Sequence, residues 1–252
     1  MVSVTRQRRV FVHSAGEALL FHMAAIAEGL RRVLELDREL WHIVALSLGV
    51  SLSAVLIATA LGLPLGALLA VKRFSGRRTV IVLLNALMGL PPVVVGLLIY
   101  LLLSRAGPLG ELGLLFTPGA MVIAQSVLVL PIIAALARQA LEDASREYEE
   151  QLRSLGTREI QAAFTLIWDA RFSLVTAVLA GLGRAAAEVG AVMIVGGNID
   201  GVTRVMTTAI ALETSKGDLP LALGLGVVLI AIVLAVNAAA QLIKEAAQRR
   251  YG

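Results

Sequence analysis

Long apolar runs alternate along the chain with short charged segments. Residues 41–71 contain no acidic or basic side chain, and His42 is their one imidazole. About 20 apolar residues cross a hydrocarbon core roughly 30 Å thick, and tilt absorbs the surplus, so 41–71 is read as a first membrane span. Lys72, Arg73, Arg77 and Arg78 follow without an acidic neighbour, and the bias of basic residues toward the cytoplasm puts this loop inside. Residues 79–104 predict a second span, interrupted near its middle by Gly89-Leu-Pro-Pro92. Two prolines remove two backbone donors, so a kink is expected, with protein or a cavity satisfying the freed carbonyls. After a Gly/Pro turn at 105–111, residues 112–137 predict a third span that contains Gln125 and Pro131.

From 138 to 171 the pattern changes. Five arginines (138, 146, 153, 158 and 171) mix with seven acidic residues, while Leu152, Leu155, Ala162, Ala163, Leu166 and Ile167 recur at helical spacing. A pair of short cytoplasmic helices is expected there. Residues 172–199 predict a fourth span, charged only at Arg184 and Glu188 and ending in Gly196-Gly197-Asn198. An outer loop follows over 200–218, then a fifth span over 219–243. The tail 244–252, with Lys244, Arg249 and Arg250, falls inside by the same charge bias.

Five crossings leave residues 1–40 outside, although Arg6, Arg8, Arg9, Arg31, Arg32 and Arg38 lie among them. The stretch 10–30 is interrupted by His13, Glu17, His22 and Glu28 and lacks the compact apolar core of a signal peptide. It reads as an interfacial or amphipathic segment. A sixth span there would move the N-terminus inside, but two acidic residues and two histidines within its length speak for five.

Composition agrees with this division: 58% of residues are hydrophobic and 16% charged, against about 25% charged in soluble domains. The net charge of +4 is explained by topology, so no nucleic-acid partner is inferred, and membrane lipid is the surrounding partner. With no cysteine and three histidines, there is little for thiolate or metal chemistry, and no metal site is assigned. The chain has no Gly-x4-Gly-Lys-Ser/Thr phosphate loop, so ATP hydrolysis is not expected of it, and no catalytic residue is assigned.

Four groups of residues are candidates for function, each with a plainer alternative. Glu150 and Gly156 flank a predicted helix–turn–helix, which is either a docking surface or a solvated loop. Arg184 and Glu188, four apart on one helical face, form either a gate or a structural ion pair. Gly196, Gly197, Asn198, Thr203, Thr207 and Thr208 either offer donors that pass an anion without trapping it, or form a Gly-rich turn with capping threonines. Gly62-x3-Gly66 permits a close helix approach, within the subunit or between subunits.

Glu150-Gln-Leu-Arg-Ser-Leu-Gly156 resembles the coupling loop of ABC importer permeases, whose pattern is Glu-Ala-Ala-x3-Gly and, further on, Ile-x-Leu-Pro. Here Gln151-Leu152 replaces Ala-Ala, and Leu166, Trp168 and Asp169 stand at the Ile, Leu and Pro positions. The stretches Gly89–Gly110 and Gly183–Arg204 resemble the molybdate, tungstate and sulfate group of permeases, and Met206–Asp218 is similar to its tungstate-type members. The resemblance covers roughly residues 40–243. It implies an all-α integral membrane protein of the type I ABC importer permease fold, residing in a prokaryotic inner or plasma membrane. It also implies a homodimer, two ATPase subunits that bind ATP and magnesium and dock on a loop including Glu150, Gly156 and Leu166, and an extracytoplasmic substrate-binding protein. No cofactor is implied for this subunit. The expected activity is import of tungstate, molybdate or sulfate by alternating access. An ion-coupled secondary transporter using Glu188 as its titratable site is the alternative; an intramembrane enzyme would need convergent catalytic groups at membrane depth.

Overall fold

A computed structural model describes residues 38–154 and 159–251, together with Ala27, Glu28 and Arg31. The N-terminal interfacial segment therefore lies almost wholly outside the described residues. Helices and turns make up the described residues, with no strand among them.

Helix α1, Arg38–Val71, is the first apolar run. The second run is two helices, α2 (Arg77–Met88) and α3 (Pro92–Leu103), set at 102°. The sequence predicts a kink; the outcome is a full corner. Gly89 and Leu90 close α2 with bonds to the carbonyls of Ala86 and Leu87. Pro91 is extended, at φ −62° and ψ 125°. Pro92 then opens α3 at the first helical position, where a missing N–H costs nothing.

Helix α4, Pro118–Ser154, departs from expectation at both ends. It starts six residues after Leu112, because a 3-10 turn over Gly110–Leu112 and a further turn intervene. It also does not stop at Ala137. The charges that begin at Arg138 mark a change of surroundings rather than a helix end, since Arg138 and Glu142 form an i, i+4 ion pair at 2.5 Å that supports the helix. The first of the two expected short helices is thus the end of α4. The second is α5, Glu159–Asp169.

The expected fourth span is likewise two helices, α6 (Arg171–Ala186) and α7 (Gly190–Gly196), bent by 58°. Within the expected outer loop lies a helix, α8, Met206–Lys216. Helix α9, Leu219–Tyr251, continues through the expected tail. Among the described residues three helices, α1, α4 and α9, are long and apolar enough to cross a membrane, and counting each bent pair as one span gives five.

Helix α4 is the axle of the bundle, packing against α1, α2, α3, α6 and α7. Its Met121, Ala124, Val129, Ile133, Ala134, Ala137 and Leu141 are all at most 1% exposed. Close approach to α1 depends on glycine. A Cβ on Gly66 would stand 2.7 Å from the Ala134 carbonyl oxygen, and one on Gly62 would stand 3.2 Å from Ile133. The Gly62-x3-Gly66 spacing therefore serves packing within one subunit.

Candidate functional site: the joint in the fourth span

A helix that breaks inside an apolar layer leaves backbone groups without partners, and water is not at hand to take them. At the break between α6 and α7, side chains supply the partners. Glu188 is the centre. Its Oε1 accepts from the Ala191 N–H at 3.0 Å, capping the start of α7, and its Oε2 accepts from Arg184 at 2.6 Å. Its side chain is 2% exposed and that of Arg184 31%. A carboxylate at a helix start also meets the positive end of the helix dipole.

Two other elements reach the same joint. Thr207, in the first turn of α8, donates from its hydroxyl to the Glu188 carbonyl at 2.8 Å. Gln125, on α4 and 4% exposed, donates from Nε2 to the Ala185 carbonyl at 3.1 Å. The Gln125 Oε1 is buried without a partner. Helix α3 closes the remaining side: a Cβ on Gly96 would stand 2.7 Å from the Ala191 Cα, and one on Gly190 would stand 3.0 Å from Val93. The second halves of both broken spans are therefore packed as one unit.

The outer end of α7 is fixed as well. Gly197 takes the left-handed conformation at φ 71° and ends the helix. The Thr203 hydroxyl donates to the Gly196 carbonyl at 2.6 Å and accepts from the Ile199 N–H at 2.9 Å. Thr208 exchanges bonds with the Val205 backbone, and Asn198, at φ 50°, donates to the Thr208 carbonyl at 3.4 Å. Thr203 and Thr208 are fully buried, so in this conformation their hydroxyls serve the turn rather than a passing anion. Sequence reasoning missed Phe116. At φ 61° it is a bulky residue in the left-handed region, its N–H bonds the Val195 carbonyl at 2.9 Å, and its ring meets Tyr100 edge-on. A flanking glycine and proline, Gly113 and Pro118, were the only local signal of such a turn.

Toward the C-terminal end of α4, Glu142 joins three elements. It pairs with Arg138 on its own helix and with Arg77 at the start of α2, while Arg77 also donates to the Leu69 carbonyl of α1 at 2.6 Å. Of the expected coupling residues, Gly156 and the side chain of Glu150 lie outside the described residues. Leu166 is 1% exposed and packs with Ala137, Leu141 and Leu174, so it anchors α5 to the bundle instead of facing a partner. The exposed residues of α5 include Phe164 and Trp168, at 71% and 70%. Arg171 stacks over Trp168 and Phe172 at 4.8 and 4.5 Å. Among the described residues no group of three or more His, Cys, Asp and Glu comes together to hold a metal.

The described residues thus form two broken spans braced around a central helix. Residues 62–252 match the family described as the binding-protein-dependent transport system inner membrane component, and the chain belongs to that family of ABC transporter permeases. It is therefore a multi-pass inner-membrane protein. It is similar to the tungstate uptake system permease protein of Peptoclostridium acidaminophilum, 42% identical over 227 residues that cover 88% of this chain and 100% of that protein. The probable anion ABC transporter permease protein of Haloferax volcanii is 42% identical over 201 residues, covering 78% and 87%. The molybdenum transport system permease protein of Escherichia coli K12 is 29% identical over 188 residues, covering 71% and 82%.

Proposed function

We propose that the chain is the permease through which an ATP-driven importer moves tungstate. The 42% identity to a tungstate uptake permease along that protein's whole length is the observation that carries the substrate. Two copies form the pathway, two ATPase subunits dock on the loops between α4 and α6, and an extracytoplasmic binding protein delivers the anion. The C-terminus lies in the cytoplasm with Lys72 to Arg78, and hydrolysis of ATP takes place in the partner. Glu150, Gly156 and the exposed ridge of α5 form the docking surface.

The α6–α7 joint is the moving part in this reading. Its freed backbone groups find partners on α4 and α8 and on Glu188 itself, so the break persists without water. The Arg184–Glu188 pair is a strut of that joint: the carboxylate that caps α7 also neutralises the arginine, which keeps a fixed cation from holding the oxyanion. The alternative of ion coupling finds no support in the family. Reconstitution into liposomes separates the two. The proposed importer takes up tungstate when binding protein, ATPase subunits and ATP are all present. Uptake by the permease alone, insensitive to ATP, would overturn the proposal.

A further inference from the structure

Helix α4 runs unbroken from Pro118 to Ser154, about 55 Å at 1.5 Å per residue. Its cytoplasmic end leads into the coupling segment, and Gln125 sits two turns from its other end. Pro131, which deletes one helical bond between the two ends, is braced from both sides. Gly62 and Gly66 bring α1 onto Ile133, Ala134 and Ala137, and on α6 a Cβ at Gly181 would stand 2.8 Å from Ile133. Displacement of the cytoplasmic end is thereby carried to the level of Gln125.

At that level, Gln125 is the side chain by which α4 grips the joint, through the Ala185 carbonyl. In an uninterrupted helix this carbonyl would accept the N–H of Val189, four residues on; in the bent span it accepts from Glu188 N–H at 3.2 Å and from Gln125. Straightening the span exchanges the Glu188 N–H for that of Val189 on this carbonyl and turns the carbonyl toward the helix axis, away from the amide of Gln125. The buried Oε1 already has no donor, so packing alone gives no reason for an amide here, and an apolar residue of the same length would fill the space at lower cost.

We infer that Gln125 is a positioning residue of the transport cycle: its bond to the Ala185 carbonyl holds the fourth span bent and ties that bend to the position of α4. This rests on the reading of the chain as an ATP-driven permease. One net hydrogen bond shifts a two-state equilibrium by up to about tenfold.

The test uses the complete transporter in proteoliposomes, with tungstate uptake and ATP hydrolysis measured on the same preparation. For Gln125→Leu, the tungstate taken up per ATP hydrolysed is expected to fall about tenfold while assembly and ATPase rate persist. Gln125→Met, which keeps the length but has no N–H or O–H donor, is expected to behave alike. Leu128→Ala, one turn away in the same core, is the control: it lowers thermal stability without changing the ratio. An unchanged ratio in both Gln125 variants, or an equal fall in Leu128→Ala, would overturn the inference. If the unmodified transporter shows no ATP-dependent uptake of tungstate, the proposed function itself fails.

Discussion

Along the seam between α1 and α4 there is no room for a methyl group at Gly66, whereas between α6 and α9, with α1 at its edge, a crevice of about 230 Å³ stays open beside Gly183, Ala186 and Asn237. The seam is shaped by backbone pressed on backbone. The joint is held by a few side chains at defined angles: Glu188, Thr207 and Gln125. Dense interiors do not deform gradually, so in the proposed cycle motion is expected where directed bonds can be exchanged and where space already exists. In the proposed cycle the difference separates a frame, α1 with α4, from a moving unit, α6 with α7 and α3, that packs on α4 and borders the crevice.

The largest effect falls on the joint. Glu188→Ala removes both the counter-ion of Arg184 and the acceptor for Ala191. Breaking a buried pair from one side costs about 3–5 kcal/mol, and the 31% exposure of Arg184 lowers the expected loss to about 2–3 kcal/mol, read from thermal unfolding in detergent. Removing Arg184 as well should recover part of that loss. Equal destabilisation by the single and double variants would show that the pair does not hold the joint.

Next in size is the seam. Gly66→Ala forces a methyl against the Ala134 carbonyl, a backbone atom that cannot turn away, and should cost about 1–3 kcal/mol. If it unfolds at the same temperature as the unmodified protein, α1 and α4 are less tightly locked than described. The smallest effects compare two glycines of α6. Gly181→Ala meets the side chains of Ile133 and Val129 at 2.8 and 2.9 Å rather than backbone, and should cost less than Gly66→Ala. Gly183→Ala faces open space and should leave stability unchanged or raise it by up to about 1 kcal/mol. Equal penalties at 181 and 183 would remove the distinction between the packed and open faces of α6.

The long spans α1 and α9 were legible in the sequence and the joint was not, for physical reasons. Trp41–Val71 and Leu219–Ile243 announce themselves by length without charge, since the bilayer demands that and little else. The corner after Met88 was foreshadowed by Pro91 and Pro92, whose missing donors act locally, but the 102° angle is set by packing of α3 on α7. The break after Ala186 carries no proline. It is held by Gln125, 60 residues from Ala185, and Thr207, 19 residues from Glu188, which supply partners that no local pattern reveals. At Arg138 the sequence marks where the apolar run ends, and hydropathy was mistaken for a helix boundary. Arg184 and Glu188 were recognised as a pair from their spacing; the capping of Ala191 by the same carboxylate required the bend to be seen.

The most direct test of the frame and joint is a distance measurement within one subunit of the assembled transporter. The chain has no cysteine, so introduced ones carry the only spin labels. One pair, Gly183→Cys with Asn237→Cys, spans the crevice; the other, Leu61→Cys with Val127→Cys, uses exposed positions on α1 and α4. When ATP is trapped in the ATPase subunits, the crevice pair should change its separation by more than about 2 Å, beyond an ordinary helix shift, and the α1–α4 pair should stay where it is. A fixed crevice, or an α1–α4 distance that changes as much, would contradict the account.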